Sequence, residues 1–125
     1  MGRIDHFEDL DCWQACRELR VFVTCEIVPQ LPAGERYRLA DQLIRAARST
    51  TANIAEGFGR RHYLDNAKFI RNRLGSQHEC LHHLITGNDE GMISAEQLAD
   101  FRVIFEKSSA LSNGYASYLA RTAKK

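Results

Sequence analysis

The sequence predicts an all-α fold, an antiparallel up-down-up-down four-helix bundle, on three observations. Apolar residues recur at three- and four-residue steps in four separate stretches. Both prolines, the only two in the chain, fall between Val28 and Gly34. Glycine and polar clusters separate the remaining stretches, and alternating β-branched runs are scarce. With 125 residues, 44% of them hydrophobic, the chain can fill one core and is read as a single domain, residues 1–125.

The first helix is expected from about Glu8 to Ile27, with Trp13, Cys16, Leu19 (or Arg20), Val23 and Ile27 forming one apolar stripe. Pro29 and Pro32 end it, because proline lacks an amide donor and biases its predecessor away from helix. The second helix, from about Glu35, carries Leu39, Leu43, Ala46, Thr50 and Ile54, with Gly57 as its expected C-terminal cap. The third, from Tyr63 to about Thr86, carries Ala67, Ile70, Leu74, Gln77, Leu81 and Leu84 before Gly87-Asn88-Asp89-Glu90-Gly91 breaks it. Ser94 and Gln97 make a capping box for the fourth, whose stripe is Leu98, Phe101, Phe105, Ser108, Leu111, Tyr115 and Leu119. Short connections between long helices favour antiparallel neighbours.

No apolar run approaches a membrane span and the N-terminus has no apolar signal region, so a cytoplasmic protein without a membrane partner is expected. Cys12, Cys16, Cys25 and Cys80 are read as reduced thiols, because a core of this size needs no disulfide staple. The net charge of +1 conceals an uneven distribution. Residues 1–35 carry −4, residues 36–73 carry +6 and residues 74–125 carry −1. The middle of the chain is a basic block.

The stretch Ser49-Thr50-Thr51-Ala52-Asn53-Ile54-Ala55-Glu56-Gly57-Phe58-Gly59-Arg60-Arg61 combines small, polar and glycine residues, which suits close helix approach followed by a sharp basic exit. Together with Phe7, Leu10, Trp13, Gln14, Pro32, Glu35-Arg36-Tyr37, Leu39, Gln42, Arg45-Ala46, Gly75-Ser76 and Glu79, it resembles a known family. That family is the four-helix-bundle proteins encoded in intervening sequences of bacterial 23S ribosomal RNA genes. The resemblance implies a bundle assembled into a homopentameric ring. It also implies kinship in fold with accessory proteins of diversity-generating retroelements, which are thought to bind nucleic acid and a reverse transcriptase. The chain has Thr50-Thr51 where the family often has Ile-Pro, and His62 where it usually has Ser or Thr. Within the family motif, Asn53, Ile54, Ala55, Glu56 and Gly57 are expected to be structural, with Asn53 and Glu56 satisfying backbone groups or binding Arg60, Arg61 or Arg71. The small residues Ala46 to Ala52 permit close contact within the bundle or between subunits.

The basic block is the leading functional feature. Arg45, Arg48, Arg60, Arg61, Lys68 and Arg71 are the candidate nucleic-acid-binding residues, since guanidinium forks match phosphate oxygens and a ring would multiply a weak patch. The competing reading is a solvated surface with local pairs such as Asp41 to Arg45 and Glu56 to Arg60. The spacings of Cys12 with Cys16 and of His78 with His82 can each present two metal ligands, but no complete ligand set accompanies them and no metal or cofactor is expected. Trp13, Tyr37, Tyr63, Tyr115 and Tyr118 lie far apart in sequence and nominate no ligand site. Gly57-Phe58-Gly59 lacks the lysine of a phosphate loop. No nucleophile, base and carboxylate set is visible, so the expectation is a non-enzymatic oligomer that is either a nucleic-acid accessory factor or a protein-interaction scaffold, with a metal-dependent enzyme as the third and least favoured class.

Overall fold

The computed structural model describes residues 3–123, and among them every regular element is helical. Four long helices, α1 (Asp11–Val21), α2 (Leu39–Gly59), α3 (Tyr63–Asp89) and α4 (Ala95–Ala123), form the bundle. The Asp9 carboxylate accepts the Asp5 and His6 amides at 3.1 and 3.0 Å, closing a separate 3₁₀ turn at Phe7–Asp9. Leu10 is then extended and buried, so α1 starts three residues later than the expected Glu8. At its other end α1 widens into a π-helical segment, Phe22–Ile27, that keeps Phe22, Val23 and Ile27 in the core.

Pro29 lies in the first of two short 3₁₀ turns, Val28–Gln30, and Pro32 immediately precedes the second, Ala33–Glu35. The expected helical start at Glu35 is corrected to Leu39, because Arg38 departs from helical geometry (φ −120°, ψ −104°). Glu35 acts instead from outside, its carboxylate accepting the Leu39 amide at 3.2 Å. All five residues of the expected α2 stripe, Leu39, Leu43, Ala46, Thr50 and Ile54, are buried.

Gly57 is not the cap of α2. It lies inside the helix and against α3, where a Cβ would come within 2.8 Å of both Asn66 Oδ1 and Phe69 Cβ. The close approach read from the small residues is therefore present, and the chain reverses two residues beyond the helix at Arg61, in the left-handed region at φ 58°. In α3, Arg73 and Cys80 face inward where the sequence stripe placed Leu74 and Leu81, both half-buried. Gly87 is likewise helical, abutting Ile93, and the turn itself falls at Gly91 with φ 79°. The capping box at α4 forms as expected, with the Gln97 amide donating to Ser94 Oγ at 3.0 Å and the Ser94 amide donating to Gln97 Oε1 at 3.1 Å.

Each helix packs on its two sequence neighbours around a square, α4 closing back on α1. Ser76 on α3 donates to Ser49 on α2 at 2.8 Å, while Gly57 meets Asn66, so these two helices run antiparallel. Asn66 to Tyr115 and Gln77 to Ser108 set the same relation between α3 and α4. The topology is up-down-up-down.

Two apolar clusters fill the bundle. One surrounds Leu19, Val23, Ile27, Leu43, Leu84 and Phe101, and the other Leu10, Cys16, Ile54, Ile70 and Leu119. Between them in sequence on α2, α3 and α4 sit buried polar residues: Thr50, Arg73, Gln77, Ser108 and Ser112. Gln77 Nε2 donates to Ser108 Oγ at 2.7 Å and to the Phe105 carbonyl at 3.2 Å. This belt divides the core into two halves.

Candidate nucleic-acid interface

The α2–α3 corner is short because Arg61 adopts a conformation uncommon for a side chain with a Cβ, turning the backbone within three residues. Arg60 and Arg61 occupy the corner, both exposed, with Lys68 and Arg71 exposed on the first turns of α3. Arg60 reaches back to Glu56 at 3.1 Å, and its guanidinium lies 5.1 Å from the centroid of the Phe69 ring. Among the described residues Arg61, Lys68 and Arg71 have no ion-pair partner. His62 caps α3 through a long 3.5 Å bond accepted from the Asp65 amide.

Arg45 and Arg48 are also exposed but stand back along α2. Twelve residues of helix separate Arg48 from Arg60, roughly 18 Å at the helical rise. Arg45 is paired with Asp41 at 3.1 Å, as is Arg60 with Glu56, so both local pairs read from the sequence are present. Arg60 and Arg61 sit at the corner, Lys68 and Arg71 follow along α3, Arg71 roughly 12 Å from its start, and Arg45 and Arg48 lie further back along α2.

The family-motif residues hold the helix pair together. Asn53 Nδ2 donates to the Ser49 carbonyl at 2.8 Å and to Ser49 Oγ at 3.1 Å, extending the Ser49–Ser76 contact. Ile54 is fully buried, Ala55 half-buried, and Glu56 serves Arg60. Thr51 accepts a 2.9 Å bond from Arg20 Nη1 and so ties α2 to α1.

The structure gathers residues that sequence distance kept apart. Phe58 from α2, Tyr63 from α3, and Tyr115 and Tyr118 from α4 line adjoining open clefts at the corner end of the bundle. Tyr115 and Tyr118 stack at 6.3 Å with their planes 19° apart. Tyr63 and Tyr118 remain 48% exposed, a large aromatic area left in solvent beside the basic corner. Arg61, His62, His6 and Asp5 rim one cleft, with Asn66 on its wall. Asn66 Nδ2 donates to the Tyr115 hydroxyl at 3.2 Å, while its own Oδ1 is buried without a partner. Burial raises the Tyr115 hydroxyl above its ordinary pKa, against the opposing hydrogen bond from Asn66. The distance in sequence that separates the tyrosines is closed in space for three of them: antiparallel topology brings residue 63 beside residues 115 and 118. The three-residue spacing of Tyr115 and Tyr118 was the available sequence signal.

The three buried thiols, Cys12, Cys16 and Cys80, offer little nucleophilic chemistry, while Cys25 is exposed. Burial pushes Cys12 and Cys80 up to about 12 and raises Cys16 as well, leaving all three protonated near neutrality. Among the described residues no three His, Cys, Asp or Glu side chains are grouped to hold a metal ion. No described helix is long and apolar enough to cross a membrane.

Residues 8–114 match a family model described as 23S rRNA-intervening sequence protein. No curated protein matches the chain.

Proposed function

The chain belongs to the 23S rRNA-intervening sequence protein family, and from that premise we propose that it is a non-enzymatic accessory protein that binds RNA or DNA through its α2–α3 corner. One observation carries this reading: Arg60 and Arg61 are exposed at the corner and Lys68 and Arg71 are exposed on the adjoining turns of α3, three of the four without a carboxylate partner among the described residues. Such charges attract phosphate mainly by releasing counterions. Arg48 and Arg45 extend the basic surface along α2. Repetition of the corner around a homo-oligomer, a pentameric ring in the family resemblance, raises avidity without any new contact. A reverse transcriptase is a partner by family analogy alone.

The test is a fluorescence-anisotropy titration of labelled RNA and DNA at two salt concentrations, comparing wild type with Arg60→Ala/Arg61→Ala. Binding should weaken steeply with salt, and each lost phosphate contact should reduce the log–log slope by roughly one unit. Circular dichroism controls for folding, since both residues lie at a helix exit. No binding by wild type at low salt, or an unchanged slope in the variant, would leave the protein-interaction scaffold as the better reading.

A further inference from the structure

We infer that the aromatic clefts beside the corner receive an unpaired nucleobase, making the protein a binder of single-stranded rather than double-stranded nucleic acid. The inference rests on the corner being a phosphate-binding surface and adds what lies next to it. Proteins that hold single strands combine a basic track for the backbone with aromatic faces for the bases. Here both parts occur at one end of the bundle. Arg61 belongs to both: it is a corner residue held at positive φ, and it lines the cleft with Phe58 and Tyr63.

The larger cleft is open and encloses about 620 Å³, within the range of roughly 300–1,000 Å³ typical of small-ligand sites. Tyr63 and Tyr118, each about half exposed, offer ring area that the bundle does not use for its own packing. The Tyr115 hydroxyl already accepts from Asn66, so its proton is free to donate to a base nitrogen or carbonyl oxygen. The cleft itself is rimmed by one arginine, Arg61, and one carboxylate, Asp5, which Arg3 pairs at 2.8 Å, so Arg61 is left to face an anionic ligand. A duplex keeps its bases stacked inside and could engage only the arginines. An unpaired base beside a bound phosphate engages both.

The decisive probe is a pair of labelled single strands of equal length, one with normal bases and one abasic at alternate positions, together with the corresponding duplex. All are titrated by anisotropy at fixed salt. Wild type should bind the normal strand at least about fivefold more tightly than the abasic strand. Tyr63→Leu/Tyr118→Leu, which keeps apolar area at two partly exposed sites, should erase that preference while leaving the salt slope unchanged. Equal binding of normal and abasic strands would overturn the base cleft and leave the basic corner standing. Absence of binding to all three probes would overturn the corner itself and the cleft with it. If the double variant changes the sedimentation mass and not the base preference, the cleft is instead covered by a second copy of the chain, and the inference fails.

Discussion

Arg73 Nη1 donates a 2.7 Å hydrogen bond to Gln77 Oε1 one turn further along α3, and both side chains lie inside the bundle at 1% exposure or less. Arg73 Nη2 also reaches Asn113 Oδ1 on α4 at 3.1 Å, while Nε has no partner. No carboxylate pairs with this guanidinium among the described residues. Burial lowers its pKa from the ordinary arginine value, with Cys16 and Cys12 acting in the opposite direction. A buried cation whose compensation comes from amide oxygens is costly to hold.

Charge burial should therefore dominate substitutions at this position. Arg73→Met removes the charge at similar volume and should fall within about 2 kcal/mol of wild type, the residual cost being the buried Gln77 oxygen left unpaired, since Asn113 is exposed to water. Arg73→Lys keeps the charge but loses the two-armed donor geometry, and should cost at least about 2 kcal/mol more than the methionine variant. Urea denaturation midpoints decide the order. Lysine outperforming methionine would show that the charge itself is wanted in the core.

Gly57 should tolerate no side chain. In Gly57→Ala the new Cβ meets Asn66 Oδ1 and Phe69 Cβ at 2.8 Å and the Asn66 carbonyl at 3.0 Å, so α2 and α3 must separate. A loss of about 1–3 kcal/mol is expected by chemical denaturation. Gly59→Ala is the control, having nothing within 4 Å at a helical position, and should be neutral or stabilising by up to about 1 kcal/mol. Equal losses at the two sites would refute the close-approach account.

Alkaline pH should destabilise the fold through its thiols. Cys12 and Cys80 have folded pKa values raised to about 12, so each binds its proton in the folded state when the unfolded chain has already released it. Their contribution is fully present below pH 9 and is lost progressively between about pH 9 and 12. Thermal melts across that window, compared with a Cys12→Ala/Cys80→Ala variant, should show a shallower decline in the variant. A parallel decline would assign the loss to other groups.

At the start of α4, Ser94→Ala removes the acceptor for the Gln97 amide and should cost about 1 kcal/mol. Ser94→Asp should retain most of the stability, because its carboxylate can accept the same bond. Denaturant titration reads both. An aspartate no better than alanine would mean that the cap contributes little here.

Helix number, order and direction were legible in the sequence because proline, glycine and apolar spacing act locally. The capping box at Ser94 was legible for the same reason. What escaped were features decided by tertiary packing. Gly57 looks like a helix stop by type, yet its role is set by Asn66 and Phe69 across the interface. The inward face of α3 was displaced because Arg73 is polar by type and buried only through partners on α3 and α4. The basic corner was visible as a run of charge, whereas its separation from Arg45 and Arg48 needed the geometry of α2. The aromatic cleft required three helices to be folded before its residues met.

The belt of Thr50, Arg73, Gln77, Ser108 and Ser112 separates two apolar clusters of unequal size, which should open as separate cooperative units. The half holding Ile54, Ile70 and Leu119 has the smaller apolar cluster and also carries the corner and its clefts. Its backbone amides should exchange with solvent faster than those around Leu43, Leu84 and Phe101. The corner end can then breathe and reclose while the far end keeps the four helices in register, much as a hinge pin stays seated while the leaf swings.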